Sequence, residues 1–337
     1  MRLHPPTTDL PSRLFSTMAA VALTTMTELN CPALSTVHLH NAALAASAPL
    51  LAGSLSVADT SVASTEAELV RMSQQNSKLE DRQAIKLFES GMDLAAKGAD
   101  PETQERNDDA LKKAEERFTL LVEEFAPNYA DGYANRANVR VARGDLEGAV
   151  RDYDTALQLV PRGNSVWVNL LNRGATRSAL GDTELALSDL QEAVRLSQGD
   201  KLALLGRGSV LHKLGRYAEA ASDYGAVVNK RPLDVQPFWL RYAIDLFEAD
   251  RRLEALGIVR RVANKFDLEP ECTLAASSML WSGGTDTERS EAMLRWKQLP
   301  AQMRTRSLAF VDEKTFSARE WPPKAVAAAE EFARAVR

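Results

Sequence analysis

Apolar and small residues recur at helical spacing along most of the chain, in runs broken by short polar turns. The stretch NVRVARGDLEGAVRDYDTALQLVP, Asn138 to Pro161, shows the unit. It reads as a helix of small residues, a Gly-Asp turn, a second helix and a closing proline. The unit repeats. Gly144 is followed five residues later by Ala149, Gly181 by Ala186, Gly215 by Ala220 and Asp250 by Ala255. These markers lie 37, 34 and 35 residues apart, and Pro161 and Pro232 close two of the units. Within each first helix a small residue, Ala137, Gly174, Gly208 or Ala243, stands where adjacent helices must approach closely. Tyr133, Leu170, Leu204 and Trp239 take a contact position just before it. Tyr153, Leu190, Tyr224 and Val259 follow the second-helix alanine by four residues.

A degenerate unit precedes these four. Phe88, Gly91 and Leu94 mark its first helix, and Ala114, Phe118, Leu121 and Pro127 its second. Between them GADPETQERNDD, Gly98 to Asp109, is a loop by composition. After the four units, TLAASSMLWSGGTDTERSEAMLRW keeps the helix-turn-helix rhythm, and REWPPKAVAAAEEFARAV predicts a terminal staple. In that staple Trp321 anchors, Pro322 and Pro323 start a helix, and Phe332 packs back.

The period, the small residues and the contact positions resemble the tetratricopeptide repeat family, whose unit is 34 residues. That resemblance implies an all-α, right-handed α-solenoid. Its parts would be a linker or N-terminal helix over 65–83, a degenerate repeat over 84–128, and repeats over 130–163, 167–200, 201–235 and 236–270. A capping helix pair would follow over 271–300, then a C-terminal tail and helix over 301–337. Arrays need such atypical ends because an uncovered repeat face is apolar. The chain departs from the family pattern at Arg140 and Arg177, where an aromatic is usual, and at Gln198-Gly199, where proline is usual.

The resemblance also implies that first helices line a concave groove. Carried over, the groove residues are Asn135, Asn138, Leu171, Asn172, Leu205, Ser209, His212, Lys213, Arg241 and Phe247. Asn135 and Asn172 share one repeat position and resemble the start of an asparagine ladder. Such amides clamp the backbone of an extended peptide with one donor and one acceptor each. The expected partner is therefore a protein or an extended peptide segment. Asn138 and Asn172 also match the asparagines of a chaperone-tail clamp. Ala134, Leu202 and Gly206 replace its cations, however, and leave a terminal carboxylate without a charge partner. Arg136, Arg173 and Arg207 recur at one position and read as snorkelling side chains between repeats. Asp152 and Asp154 read as a solvated helix face.

Composition narrows the function further. Hydrophobic residues make up 45% of the chain and charged residues 26%, ordinary for a protein that buries a core. A formal net charge of -5 offers no basic field for nucleic acid. The only cysteines are Cys31 and Cys272, and of the four histidines three, His4, His38 and His40, share the N-terminal region with Cys31. His212 alone remains for the repeats, which argues against a metal cluster and for a surface histidine. No P-loop, GxSxG or GxGxxG occurs, so no cofactor is implied and the protein is expected not to be an enzyme.

The first 64 residues are a different polymer. They hold no lysine and only three acids, Asp9, Glu28 and Asp59, and are rich in Ala, Ser and Thr, as an organelle transit peptide is. The run NAALAASAPLLAGSLSVA, Asn41 to Ala58, ends in Ser56-Val57-Ala58, with small residues at the positions a signal peptidase reads; Ala46-Ser47-Ala48 is a second such site. A span is not expected, because Pro49 interrupts this short Ala/Ser-rich stretch, so membrane association would be peripheral at most. The two addresses in series point to the thylakoid lumen. The residues before the apolar run, His38-Leu39-His40-Asn41, lack a twin arginine, which leaves stroma and mitochondrion as alternatives. With this leader and the repeats, the REWPPKAVAAAEEFARAV tail resembles a plant and algal family of tetratricopeptide-like proteins of the chloroplast lumen, over Phe88 to Val336. That resemblance implies a non-enzymatic scaffold, with a role in assembly or maintenance of a photosynthetic complex. The rival readings are a general co-chaperone and a non-catalytic subunit of an organellar enzyme complex. The mature chain is expected to begin between Ser47 and Thr65; N-terminal sequencing of protein from its native source checks this, and a start at Met1 or Arg2 removes the targeting argument.

Overall fold

Four turns of the same build organise the repeats. Each first helix closes on a residue in the left-handed region: Gly144 at φ 87°, Gly181 at 89°, Gly215 at 72° and Asp250 at 61°. The amide after it reaches back five residues, as in Asp145 N to Arg140 O at 2.9 Å and Arg251 N to Leu246 O at 2.9 Å. The left-handed residue's own amide bonds three residues back, as in Gly144 N to Val141 O at 3.0 Å. This is the Schellman closure of a helix C-terminus, and glycine meets its positive φ at least cost. Asp145 then caps the next helix by accepting from Gly148 N at 2.9 Å.

The computed structural model describes residues 60–98, 107–163 and 165–337. The expected leader up to residue 59, with Cys31, His4, His38 and His40, lies outside the described residues, as does most of the inserted loop. Among the described residues there are 16 α-helices and no strand. They form two compact units, divided between Ser197 and Gln198.

The first unit holds α1 (Thr60–Asn76), α2 (Arg82–Gly98), α3 (Asp108–Leu120), α4 (Ala130–Arg143), α5 (Leu146–Leu159), α6 (Val166–Leu180) and α7 (Thr183–Leu196). A π-helical turn, Leu121–Phe125, continues α3. Helices α2 and α3, α4 and α5, and α6 and α7 pack as pairs. The degenerate pair is built on aromatics. Phe88 meets Phe118 and Tyr129 edge-on at 6.0 and 5.5 Å. Gly91 leaves the space the Phe118 ring fills, since a Cβ there would lie 2.8 Å from it. Helix α1 does not stack as a repeat. It docks on the end of α5, where Asn76 Nδ2 donates to the Leu159 carbonyl at 2.9 Å and buried Ser73 accepts from Arg162 N.

The second unit holds α8 (Lys201–Lys213), α9 (Tyr217–Lys230), α10 (Trp239–Glu248), α11 (Arg252–Lys265), α12 (Pro270–Trp281), α13 (Asp286–Gln298), α14 (Ala301–Ala309), α15 (Glu313–Ala318) and α16 (Pro323–Val336). The pairs are α8 with α9, α10 with α11 and α12 with α13. Every residue of α12 from Pro270 to Leu280 is buried. The array therefore does not end on a pair with a polar outer face. Helix α16 covers α12 instead, with Ala325, Ala328, Ala329, Phe332 and Ala333 buried. Phe332 meets Trp281 and Trp296 at 5.9 and 5.3 Å. The alanines let the two helices approach, and Pro323 starts α16 where a missing N–H costs nothing.

The repeat contact positions form the core of both units. Ala137, Ala149, Tyr153, Ala186, Leu190, Ala220, Ala243, Ala255 and Val259 are all fully buried. At Gly174 a Cβ would stand 2.8 Å from Leu190 Cγ and 3.2 Å from the Ala186 carbonyl, so α6 and α7 meet there backbone to backbone.

Charge also ties three of these pairs, α4 with α5, α6 with α7 and α8 with α9. Arg136 grips Asp152 with Nε and Nη2 at 2.9 and 2.8 Å, Arg173 grips Asp189 at 2.9 and 2.6 Å, and Arg207 grips Asp223 at 2.8 and 2.7 Å. The three aspartates are no more than 5% exposed. Arg140 and Arg177, which replace the usual aromatic, add a second arginine to Asp152 and Asp189, each at 2.8 Å. Asp152 is therefore not part of a solvated helix face, and Arg136, Arg173 and Arg207 are not snorkelling side chains. Each arginine lies 16 residues before its aspartate, so the two face each other across the pair. Only Asp154, whose side chain is 37% exposed, keeps some of the solvated character expected of it.

Removing one partner of a buried ion pair leaves the other charge uncompensated, at about 3–5 kcal/mol. Asp189→Ala should fall near the low end of that, about 3 kcal/mol, because Asp154 still reaches Arg173 at 2.6 Å. Asp154→Ala should cost less than about 1 kcal/mol. Urea unfolding of the two variants checks this, and equal midpoints would dismiss the pairs as structural.

Candidate functional site

In the first unit the four expected groove residues face inward. Asn135, Asn138, Leu171 and Asn172 are buried. Asn135 Nδ2 donates to the Asp131 carbonyl one turn back at 2.8 Å. Asn138 Oδ1 accepts from the buried Tyr153 hydroxyl at 2.5 Å and from Asn172 Nδ2 at 3.2 Å. Asn138 and Asn172 thus join α4, α5 and α6 to one another, while Asn135 turns back on its own helix. The physical reason is Tyr153. A fully buried phenol needs an acceptor, and the first-helix amide supplies it. Asn172 Oδ1 is buried with no hydrogen-bond partner among the described residues.

In the second unit the candidates converge. Leu205 and Ser209 are half-buried on one face of α8, one turn apart. His212, Lys213 and Arg241 meet the segment that links α15 to α16, and Phe247 meets the first turn of α16. His212 Nε2 lies 2.8 Å from the Glu320 carbonyl oxygen. Arg241 Nη1 and Lys213 Nζ hold the Glu320 carboxylate at 2.9 and 3.4 Å. Phe247 is buried under Lys324, whose ammonium stands 4.8 Å from the ring centroid and donates to the Phe247 carbonyl at 2.7 Å. Glu248 accepts from Ala325 N at 2.7 Å, and Trp321 Nε1 donates to the buried Glu271 at 2.9 Å. The segment and the first turn of α16 therefore contact the first helices α8, α10 and α12.

Local structure explains how Glu320 is presented. Helix α15 ends in the same closure as the repeats, with Trp321 N bonding Phe316 O at 2.9 Å and Glu320 N bonding Ser317 O at 3.1 Å. Glu320 takes the left-handed position at φ 55°, where glycine is usual. A side chain there costs about 1–2 kcal/mol, which the carboxylate contacts offset.

His212 is not a surface histidine. It is buried, and its Nδ1 lies 2.5 Å from Asp245 Oδ1 while Nε2 faces a carbonyl. A carbonyl oxygen cannot donate, so Nε2 carries a proton. A second proton then sits between Nδ1 and Asp245. Burial raises the Asp245 carboxyl, against the lowering effect of His212, and its Oδ2 meets no donor among the described residues. For Glu320 burial acts upward too, but Arg241, Lys213 and His212 outweigh it and hold the carboxyl below its ordinary value.

No single residue signals this arrangement in the sequence. Arg241 and Glu320 are 79 positions apart, and His212 and Glu320 are 108. Glu320, Asp245 and Glu271 were absent from the expected site; Trp321 was expected only as a packing anchor. Among the described residues no group of three His, Cys, Asp or Glu side chains could hold a metal ion, and no helix is long and apolar enough to cross a membrane. Cys272 is buried.

The paired helices, their left-handed closures and the small-residue contacts define a tetratricopeptide-like solenoid fold. A tetratricopeptide repeat protein from Parabacteroides merdae has this fold, with a TM-score of 0.51 and 17% identity over 75% of this chain and 100% of that one. Among curated proteins, the Protein STIP1 homolog of Dictyostelium discoideum is 30% identical over 107 residues, 32% of this chain and 18% of the relative. Tetratricopeptide repeat protein 36 of Danio rerio is 35% identical over 85 residues, 24% of this chain and 44% of the relative. The chain thus spans less than half the length of either curated relative. No family profile matches it.

The Glu320 contacts generate a pH dependence. Because the folded carboxyl titrates below the unfolded one, its stabilisation is present above the ordinary glutamate value near 4.5 and is lost as pH falls through the lowered one. Glu320→Gln should lower stability at neutral pH by about 1–2 kcal/mol, and the gap should close in acid. Melting curves across pH check it; a gap that widens in acid would reverse the assignment.

Proposed function

We propose that this protein is a non-enzymatic protein-interaction scaffold of the chloroplast, housed in the thylakoid lumen, that supports assembly or maintenance of a photosynthetic complex. One observation carries the binding part. The first-helix faces of α8, α10 and α12 hold the Glu320–Trp321 turn through its main-chain carbonyl, its carboxylate and its aromatic side chain, with contacts of 2.8, 2.9 and 2.9 Å. The carbonyl is a group every peptide presents, and the carboxylate and the indole add side-chain recognition, so the face has the chemistry of a peptide receptor. The compartment rests on the acid-poor, lysine-free leader with its small-residue cleavage sites. The tetratricopeptide-named relatives support an interaction role for the repeats.

Crosslinking pull-down from thylakoid lumen and stroma, with the full chain as bait, tests the reading. Leu205→Glu with Ser209→Arg places charge and bulk on the half-buried face of α8; Leu253→Glu changes the 83% exposed surface of α11. A defined complex from the lumen should be retained by the wild type and by Leu253→Glu, and weakened about tenfold by the α8 pair, with circular dichroism unchanged. Loss through Leu253→Glu alone moves the docking face to the second helices. Recovery of chaperones alone replaces the scaffold with a co-chaperone.

A further inference from the structure

We infer that the Arg319–Lys324 segment is an internal ligand of the second unit, and that it shares its seat with an external partner. That partner is a protein segment carrying a carboxylate followed by a tryptophan or tyrosine. The inference rests on the scaffold reading above and names the partner class for its site. Three features of the seat specify the occupant. Lys213 and Arg241 converge on one carboxylate, that of Glu320. His212 donates to a main-chain carbonyl in the same residue, a group that every residue presents. Glu271 accepts from an aromatic N–H one residue further on, a place that an indole or a phenol hydroxyl fills and phenylalanine does not.

Two further observations mark the segment as an exchangeable occupant. Glu320 holds its contacts from a left-handed backbone at φ 55°, a conformation that an external strand need not adopt. Asp245 Oδ2, fully buried on α10 beside His212, is left without a hydrogen-bond donor while the segment is seated. A different occupant that brings an N–H to it would gain a contact the internal segment lacks.

The test uses the full chain and a fluorescein-labelled peptide of residues 317–326, SAREWPPKAV. Wild-type protein should bind it weakly in fluorescence anisotropy, because its own segment occupies the seat. Glu320→Gln protein should bind it about tenfold more tightly, since the occupied fraction falls. A peptide with Gln in place of Glu320 should lose that gain, and so should Glu320→Gln protein that also carries Lys213→Ala and Arg241→Gln. Hydrogen exchange keeps the result interpretable if the variant loosens: in Glu320→Gln, amides at 319–325 should exchange faster while those of α12 stay protected. Equal peptide affinity in wild type and Glu320→Gln overturns the proposal, as does binding that ignores the peptide's carboxylate. If a lumen partner is retained through Leu205 and Ser209 while peptide affinity ignores Glu320, the scaffold stands and the internal ligand falls. Exposed peptide binding with no partner retained gives the reverse.

Discussion

The buried arginine–aspartate pair is the interaction on which the repeats depend. Small residues at Ala137, Gly174 and Gly208 let two helices touch, but touching alone leaves their register free to slide. A bidentate grip between Arg136 and Asp152, or Arg173 and Asp189, pins one residue of each helix to one of the other through two directed hydrogen bonds. Two apolar residues of the same volume would give similar stability, whereas an arginine without its aspartate is strongly destabilising. The pair therefore acts on register more than on total stability. Its absence from the fourth repeat is informative: Tyr242 and Ile258 occupy the two positions there, and Trp239, Leu256 and Phe247 supply apolar bulk instead. The switch from charged to apolar cohesion falls where α10 also has to carry Arg241, Asp245 and Glu248 to the Glu320 segment.

The fold was legible because its determinants are local. A glycine at the close of one helix, an alanine five residues on and an aromatic or leucine four beyond that all act within one unit, and repetition exposes them. Asp250 was read alongside three glycines by spacing alone, and it takes the same left-handed position. The site was legible only by halves. His212, Lys213, Arg241 and Phe247 follow from repeat phase, yet their partner sits after the last repeat and belongs to no period. The asparagines failed for a different reason. Repeat position identifies a face but not which groups already occupy it, and the buried Tyr153 hydroxyl claims Asn138. The arginines and aspartates failed similarly: each residue alone is ordinary surface chemistry, and only the 16-residue offset, three times over, marks them as pairs.

Helix α12 constrains the C-terminal region. A helix apolar all round is stable only when enclosed. Here α11, α13, α14 and α16 enclose it, and Ser277 and Ser278 are buried along with its alanines. Helix α16 is consequently a structural part of the second unit, and its docking through Phe332 lies about two turns beyond the polar contacts of Glu320, Trp321 and Lys324.

That separation has a kinetic meaning. The Glu320 segment is tethered on both sides, by α15 before it and by Pro322-Pro323 and α16 after it. It cannot diffuse away; it can only bulge and return. A short tether holds its segment at an effective concentration of about millimolar or above. An external chain offering the same three contacts would lose that contest at ordinary cellular concentrations. Occupancy then goes to a partner that grips a second place on the protein as well, so the tether converts a modest, chemically common motif into a filter for multivalent partners.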